Sequence, residues 1–230
     1  MALAAWEEPA VTVIVEQAVV EDAASEEEMS PFGDNDFAHS SPGMMIQFAI
    51  VGLIGSAEML MAERKTRALR RLFTTPARKM EVLIGHLLAM FAVVFLQLAI
   101  LVGFGSLALG LNYFHAPAAT LLLTVTLALW SATLGLLIGV LAKSSEQVTI
   151  FALIPMFVFS ALGGAWMPLE FTSRTFSTIG HLTPTAWAID GYKNIIIRGQ
   201  GIESILVPAA ILLAWTALFL ILSVWRFSPE

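Results

Sequence analysis

Residues 118–142 read AATLLLTVTLALWSATLGLLIGVLA, an apolar run without a charged side chain. A helix needs about 20 such residues to cross the hydrocarbon core of a bilayer, so this run is long enough for one transmembrane helix. Hydrophobic residues make up 57% of the chain and charged residues 13%. An average soluble domain carries about 25% charged residues. A water-soluble fold of this size could not bury so much apolar surface, which leaves the bilayer as the solvent.

Four further apolar runs have the length of a membrane span, which predicts an all-α integral membrane protein of about five transmembrane helices. Pro42 stands where the first of these helices is expected to start. The five predicted spans cover residues 43–62, 81–111, 118–142, 148–166 and 202–225. The chain therefore divides into an acidic segment, residues 1–42, and a transmembrane domain, residues 43–230.

The charged residues are unevenly distributed, and their pattern predicts the orientation in the membrane. The stretch before Pro42 carries ten acidic residues and no Lys or Arg, whereas seven of the 12 basic residues fall between Arg64 and Lys79. Basic residues near the ends of spans stay on the cytoplasmic side. Placing this basic stretch inside the cell also places Lys143 and Arg226 inside. We therefore expect a multi-pass protein of the plasma membrane, with the acidic segment outside and the carboxyl terminus in the cytoplasm.

The basic stretch itself has the pattern of an amphipathic helix. Residues 63–78 read ERKTRALRRLFTTPAR. Leu69, Leu72 and Phe73 are spaced to share one helical face, and basic residues occupy the rest. The pattern predicts a short helix lying at the cytoplasmic membrane surface. Physical chemistry alone leaves two roles open for it, an interfacial helix that contacts anionic lipid and a docking surface for a cytoplasmic protein.

This stretch also carries a family resemblance. Residues 63–72, 75–78 and 83–88 together resemble the signature of the ABC-2 type transporter permeases. Residues 41–44 resemble the entry to that family's second helix. Residues 161–170 resemble the exit of that family's fifth helix, and residues 182–199 resemble its extracytoplasmic re-entrant element. These pieces occur in the family's order, so the set is specific although each piece alone is short.

The resemblance implies the transmembrane permease subunit of an ATP-driven ABC exporter, with six helices of which this chain holds the last five. A first helix missing from the chain agrees with the predicted orientation, because the acidic segment has no apolar run before it to carry it across the membrane. Such permeases pair two membrane halves, two copies or two homologous subunits, with separate ATPase subunits that bind ATP and Mg²⁺. The chain has no Gly-Lys-Ser/Thr phosphate loop, so we expect a transport subunit without its own ATPase site or cofactor.

Two groups of residues take roles from the resemblance. The coupling helix, which seats in the ATPase, is expected to use Glu63, Arg64, Leu69, Arg70, Arg71, Leu72 and Phe73. The re-entrant element is expected to include Pro168, Glu170, Pro184, Asp190 and Arg198, with Pro184 starting its second short helix. Ion pairs of Asp190, Lys193 and Arg198 are expected to hold this element together, and an ordinary amphipathic surface helix is the alternative.

The spacing of Gly135 and Gly139, with three residues between them, predicts a close contact between two membrane helices, independently of the family. The four histidines lack metal-ligand spacing, so no metal site is expected. An intramembrane serine protease is disfavoured, since no histidine lies in the middle of a span.

Two other functions remain as alternatives, a stand-alone membrane carrier or channel and a non-transporting membrane anchor subunit. A stand-alone carrier usually places charged residues deep in its spans, and these spans carry almost none. The same apolar interior favours an amphiphilic cargo over a small ion. Nucleic acid is not expected as a partner, because the basic cluster lies next to the membrane and the rest of the chain is acidic or apolar.

Overall fold

A computed structural model describes residues 37–65 and 79–227. Its helices are α1 (Phe37–Val51), α2 (Leu53–Lys65), α3 (Lys79–Ala108), α4 (Pro117–Leu141), α5 (Ser145–Leu162), α6 (Arg174–Gly180), α7 (Pro184–Ile196) and α8 (Leu206–Arg226). Short 3₁₀ turns cover Tyr113–His115, Leu169–Phe171 and Ile202–Ile205. Within the described residues, five helical stretches are long and apolar enough to span a membrane, with α1 and α2 forming one of them. The predicted fold class, an all-α integral membrane protein, is confirmed.

Helix α4 forms the centre of the bundle. Of the 18 consecutive residues of α4 that are most apolar, 72% are buried in the protein, against 22% for the corresponding stretches of α3 and α5. It packs against α8, α3 and α2. The outer faces of the surrounding helices expose large apolar side chains, among them Leu96, Ile154 and Ile221. Apolar surface on this scale is the surface that a bilayer covers.

Successive spans run in opposite directions, so the bundle has two different ends. Arg64, Lys143 and Arg226 lie at or just beyond helix ends on one side, which we call the basic end. The connection between α5 and α8, which contains α6 and α7, lies on the other side, which we call the capped end. There α7 packs against α1, α4 and α8.

The predicted helix start at Pro42 is wrong, because α1 begins at Phe37 and Pro42 lies inside it. The missing N–H of a proline costs a helix one hydrogen bond. Tertiary contacts at the capped end offset this cost. Ala38 is buried, and the Ser41 hydroxyl lies 2.7 Å from the Tyr113 hydroxyl.

The first span is broken at Gly52, between α1 and α2. Gln97 of α3 inserts its side chain at this break. Its Nε2 donates to the Phe48 carbonyl at 2.9 Å, and a Cβ added to Gly52 would collide with the Gln97 amide oxygen. The Phe48 carbonyl also accepts from the Gly52 N–H at 2.8 Å, so the backbone hydrogen bond is kept and the Gln97 amide shares its acceptor. Glycine at position 52 therefore leaves room for this polar contact.

Two spans end earlier than the hydrophobic pattern predicts. Helix α3 stops at Ala108 and α5 stops at Leu162. Gly110 and Gly164, two residues beyond each end, have φ of 66° and 82°. Glycine adopts this left-handed conformation at little cost and so stops a helix where apolar residues alone would continue it.

Candidate functional site

The described part of the predicted coupling site consists of Glu63 and Arg64, in the last turn of α2. Helix α2 extends to Lys65, so Glu63 and Arg64, which the resemblance assigns to the coupling helix, lie in the first span. The other predicted coupling residues, Leu69, Arg70, Arg71, Leu72 and Phe73, lie outside the described residues.

Glu63 contacts the neighbouring span α3 through His86. The Nε2 atom of His86 lies 2.9 Å from a carboxylate oxygen of Glu63, and its Nδ1 lies 2.9 Å from the Val82 carbonyl. A carbonyl oxygen and a carboxylate both accept hydrogen bonds. Both contacts are hydrogen bonds when both ring nitrogens carry a proton. They are also hydrogen bonds when only Nδ1 carries a proton and a protonated Glu63 carboxyl donates to Nε2. The imidazole thus fastens the end of α2 to the beginning of α3.

Arg64 contacts a different span, α4. Its Nη1 donates to the carbonyl oxygens of Gly139, at 3.2 Å, and Val140. These carbonyls belong to the last turn of α4, where they carry the negative end of the helix dipole. A guanidinium at this position donates hydrogen bonds to carbonyl oxygens that have no partner within the helix. Its positive charge also interacts favourably with the negative end of the helix dipole. Arg64 therefore works as a cap for α4 that is supplied by α2.

Together these contacts form what we call the basic-end clasp, the pair Glu63–His86 and the contact of Arg64 with α4. Two consecutive residues of α2 hold two different spans. Three of the bundle's helices are thus fastened to each other where the chain leaves α2 toward the predicted coupling helix.

Gly135 and Gly139 face α2 from the central helix α4. A Cβ added to Gly135 would lie 3.1 Å from the Cβ of Leu53. A Cβ added to Gly139 would lie 3.0 Å from a methyl carbon of Leu60 and 3.1 Å from the Ala57 carbonyl. These distances leave little room for a side chain, so the two glycines permit α2 and α4 to approach closely.

At the capped end, Glu170 and Lys193 form an ion pair. The lysine Nζ donates to both carboxylate oxygens, at 2.8 and 3.0 Å. The lysine side chain is 5% exposed and that of the glutamate 43%. Burial disfavours the charged carboxylate, but the hydrogen bonds and the positive charge of Lys193, together with a backbone hydrogen bond, outweigh burial and hold the pKa of Glu170 below its usual value. The pair joins the 3₁₀ turn after α5 to α7.

His181 joins α6 to α7 at the same end. Its Nδ1 lies 2.7 Å from the Ser177 carbonyl and its Nε2 lies 2.8 Å from a carboxylate oxygen of Asp190. Burial opposes the charged ring, but these two acceptors outweigh burial and raise the pKa of His181. The indole N–H of Trp187 donates to the His181 carbonyl at 2.7 Å, and the two rings meet edge to face.

The remaining predicted residues of the re-entrant element also lie in this connection. Pro184 is the first residue of α7, and Pro168 directly precedes the 3₁₀ turn Leu169–Phe171. Arg198 lies just beyond α7 and donates to the side-chain oxygen of Asn194. Across residues 37–65 and 79–227 it forms no ion pair, so the expected ion pairs of this element involve Asp190 and Lys193 but not Arg198.

Sequence reasoning did not identify the two histidines as partners of carboxylates. The sequence does indicate that an acidic residue in or next to a span needs a hydrogen-bonding or oppositely charged partner, because an isolated charge there is costly. Glu63 and His86 are 23 residues apart, and His181 and Asp190 are nine apart. Neither spacing identifies a pair without knowledge of how the helices pack.

A metal centre has no support in the described part of the chain, which contains no cluster of three or more His, Cys, Asp or Glu residues that could hold an ion. In the same residues, ion pairs and caps fasten helix ends to each other.

Comparisons with known proteins place these features in a family. The profile of the ABC-2 family transporter proteins matches residues 35–225. The chain is 27% identical over 184 residues to the linearmycin resistance permease protein LnrN of Bacillus subtilis (strain 168), which covers 80% of this chain and 48% of that protein. It is 24% identical over 199 residues to ABC transporter G family member 20 of Dictyostelium discoideum, with 83% of this chain and 26% of that protein covered.

The chain thus spans about half the length of the bacterial relative and about a quarter of the length of the Dictyostelium protein. The matched region includes both ends of the bundle, with the basic-end clasp and the ion pairs of the capped end. This match extends over well more than half of the chain, and the chain therefore belongs to the ABC-2 family of transporter proteins.

Proposed function

We propose that this chain is the transmembrane permease subunit of an ATP-driven exporter. A separate ABC ATPase subunit binds ATP and Mg²⁺ and seats the coupling helix that follows α2. A second permease copy, or a homologous half, completes the transport pathway. The basic end faces the cytoplasm and the capped end faces the outside of the plasma membrane, as the distribution of basic residues predicts.

The observation that carries the proposal is the basic-end clasp. An ATPase outside the membrane moves helices only through an element whose contacts differ between nucleotide states. The clasp residues Glu63 and Arg64 lie in the last turn of α2, and the other predicted coupling residues, 69–73, follow them in the sequence. A displacement of that helix acts on α2 directly, on α3 through His86 and on α4 through Arg64. The clasp thus offers a mechanical route from a docked subunit to the central helix.

The direction of transport and the class of cargo are part of the same proposal. LnrN is named a resistance permease. Removal of a compound from the cell is one way in which a permease confers resistance, and the name of this relative therefore supports export as the direction proposed for this chain. The interior of the spans carries few charges, which favours an amphiphilic cargo over an ion.

The test is co-purification of the ATPase. The full chain is extracted in detergent from cells that also express the ABC ATPase subunits of the same host, and the bound protein is identified. Leu69→Asp places a carboxylate on the apolar face of the predicted coupling helix. Thr74→Asp is the matched control, because at 3.6 residues per turn position 74 lies on the opposite side of that helix.

The proposal expects the wild-type chain and Thr74→Asp to recover an ABC ATPase and to stimulate its ATP hydrolysis. Leu69→Asp should insert into the membrane normally and recover about tenfold less of the ATPase, the loss that about 1.4 kcal/mol of docking free energy produces. Clean purification of the wild-type chain with no ATPase bound would contradict the proposal and favour a stand-alone carrier or a membrane anchor.

A further inference from the structure

An apolar cleft opens between α3 and α4, in the half of the bundle nearer the capped end. Its volume is about 230 Å³. Phe95, Ala99 and Val102 form the α3 wall, and Thr120 and Thr124 lie on the α4 wall. The cleft exists because Ala99 has no bulk to fill the space between its larger neighbours on α3, and because the two threonines opposite it are small. Phe114 also belongs to the lining.

The polar groups of the cleft are directed into the protein. The Thr120 hydroxyl donates to the Tyr113 carbonyl at 2.6 Å, and the Thr124 hydroxyl donates to the Thr120 carbonyl at 2.7 Å. Both hydroxyl protons are therefore used within the chain, and no charged group lines the cleft. A polar ligand would lose its hydrogen bonds to water here and find no donor in exchange. The lining selects an apolar occupant.

The cleft is continuous with the surface that contacts lipid. Leu96, Ile100 and Phe104 follow the same helix and are exposed, with Ile100 62% exposed, and Leu121 is exposed on α4. All of them belong to membrane-spanning helices. In a bilayer the molecules that cover this surface are lipids, whose acyl chains are the apolar groups available at this depth.

We propose that this cleft, which we call the α3–α4 cleft, binds one acyl chain of a membrane phospholipid. An apolar cavity of about 150 Å³ is enough to hold benzene, so about 230 Å³ holds a longer hydrocarbon segment. From Phe95 to Val102 the wall extends over about 10 Å along the helix axis, a length that matches an extended chain segment lying parallel to α3. The proposal rests on the membrane location of the protein and not on ATP-driven export.

The floor of the cleft lies beside the attachment of α7 to the bundle. The Thr124 hydroxyl lies 3.0 Å from the Tyr192 hydroxyl, and the rings of Tyr113 and Tyr192 meet edge to face at 5.8 Å. Tyr192 belongs to α7. Tyr113 and Tyr192 are fully buried within the protein, so an acyl chain packed on Thr120 and Thr124 would lie beside a junction that the protein itself already closes to water.

The experiment uses a phosphatidylcholine with a photoreactive diazirine in the middle of one acyl chain, in nanodiscs that contain the full chain. After illumination, the labelled residues are mapped by mass spectrometry. Ala99→Phe fills the cleft, and Ala99→Leu fills it with a smaller side chain. Ile100→Phe adds a ring at the next position of α3, on the exposed surface beside the cleft, and serves as the matched control. Size-exclusion profiles and melting temperatures verify that each variant is folded.

The proposal expects labelling concentrated on residues 95–102 and 114–124 in the wild-type chain and in Ile100→Phe. Ala99→Phe should reduce that labelling about tenfold, because a filled cleft has no space for the chain, and Ala99→Leu should reduce it less. Even labelling of every exposed position on α3, unchanged in both Ala99 variants, would overturn the proposal. Absence of labelling at residues 95–102 and 114–124 in the wild-type chain would also overturn it.

Discussion

The two ends of the bundle each use a histidine between a backbone carbonyl and a carboxylate, but the elements that they join differ. At the basic end, His86 connects two membrane-spanning helices through Glu63. At the capped end, His181 and Asp190 connect α6 and α7, which are neighbours along the chain. The contact of Glu63 with His86 links the movement of two spans. The contact of His181 with Asp190 holds α6 and α7 together in the connection that lies over the capped end of the bundle.

Because of this difference, we expect substitutions at the capped end to lower the stability of the fold and substitutions at the basic end to weaken coupling to the ATPase. The capped end holds a nearly buried lysine, Lys193, whose partner Glu170 satisfies its charge. A buried charge without its partner is costly, so changes there are expected to lower stability. The basic-end clasp consists of partly exposed groups, so changes there are expected to affect coupling more than stability.

At the capped end, the largest loss of stability is expected for Glu170→Gln, which leaves Lys193 buried and without its carboxylate. Breaking a fully buried pair costs about 3–5 kcal/mol. Because Glu170 is 43% exposed, we expect about 1–2 kcal/mol, measured by thermal unfolding in detergent. Glu203→Gln, which removes an exposed acid, is the control and should change little.

A second variant completes this test. Adding Lys193→Met to Glu170→Gln removes the orphan charge and should recover part of the lost stability. If the double variant is less stable than Glu170→Gln alone, the cost does not come from an unpaired lysine, and the capped end is held by something other than this pair.

The next effect is expected at the crossing of α2 and α4. Gly139→Val places two methyl groups where a Cβ already lies 3.0 Å from Leu60, and overpacking of this kind costs about 1–3 kcal/mol. Gly103→Val on α3, where an added Cβ meets nothing within 4 Å, is the matched control. Equal melting temperatures for the two variants would show that α2 and α4 do not depend on this close approach.

A smaller effect on stability is expected for Arg64→Met, which keeps the aliphatic stem and removes the cap of α4. Charge–dipole contacts contribute about 0.3–1 kcal/mol, so the melting temperature should fall slightly. ATP hydrolysis stimulated by the permease should fall clearly, because α4 loses its contact with the end of α2. Lys65→Met, at an exposed neighbouring position, should leave both properties unchanged. A variant that loses stability without losing stimulation would place Arg64 outside the coupling route.

The smallest effect is a pH dependence at His181. Its pKa in the folded protein is raised above the ordinary value of 6.5 by the acceptors on both ring nitrogens. Its contribution to stability is therefore complete below that ordinary value and is lost as the pH rises through the raised pKa. The stability difference between wild type and His181→Gln should be larger near pH 6 than near pH 9, by less than about 1 kcal/mol because the ring is partly exposed. An equal difference at both pH values would contradict the assigned contacts.

Much of this fold follows from the sequence, because membrane spans are set by length and hydropathy. The run 118–142 predicted α4 almost residue for residue, since the bilayer imposes the same requirement on every span. The spacing of Gly135 and Gly139 likewise indicated a close helix contact, and those residues do face α2.

The Gln97 contact at Gly52 and the helical course of α1 through Pro42 could not be predicted in this way. Both involve side chains from elsewhere in the fold, Gln97 of α3 and Tyr113 of the 3₁₀ turn that follows it. The same holds for the site. The sequence indicated Glu63 and Arg64 through a family signature, but their partners on α3 and α4 depend on the packing of three helices.

The most direct test of the account concerns the basic-end clasp and uses the absence of cysteine from the chain. Glu63→Cys and His86→Cys are combined and joined by a short bifunctional thiol reagent that spans the lost contact between the two side chains. The readout is ATP hydrolysis stimulated by the permease in the assembled complex. Without the reagent the double variant should be poorly stimulated. Crosslinking should restore stimulation, because α2 and α3 then move together again. If crosslinking instead abolishes the remaining stimulation and cleavage of the link restores it, the two helices have to separate, and the clasp does not transmit the movement.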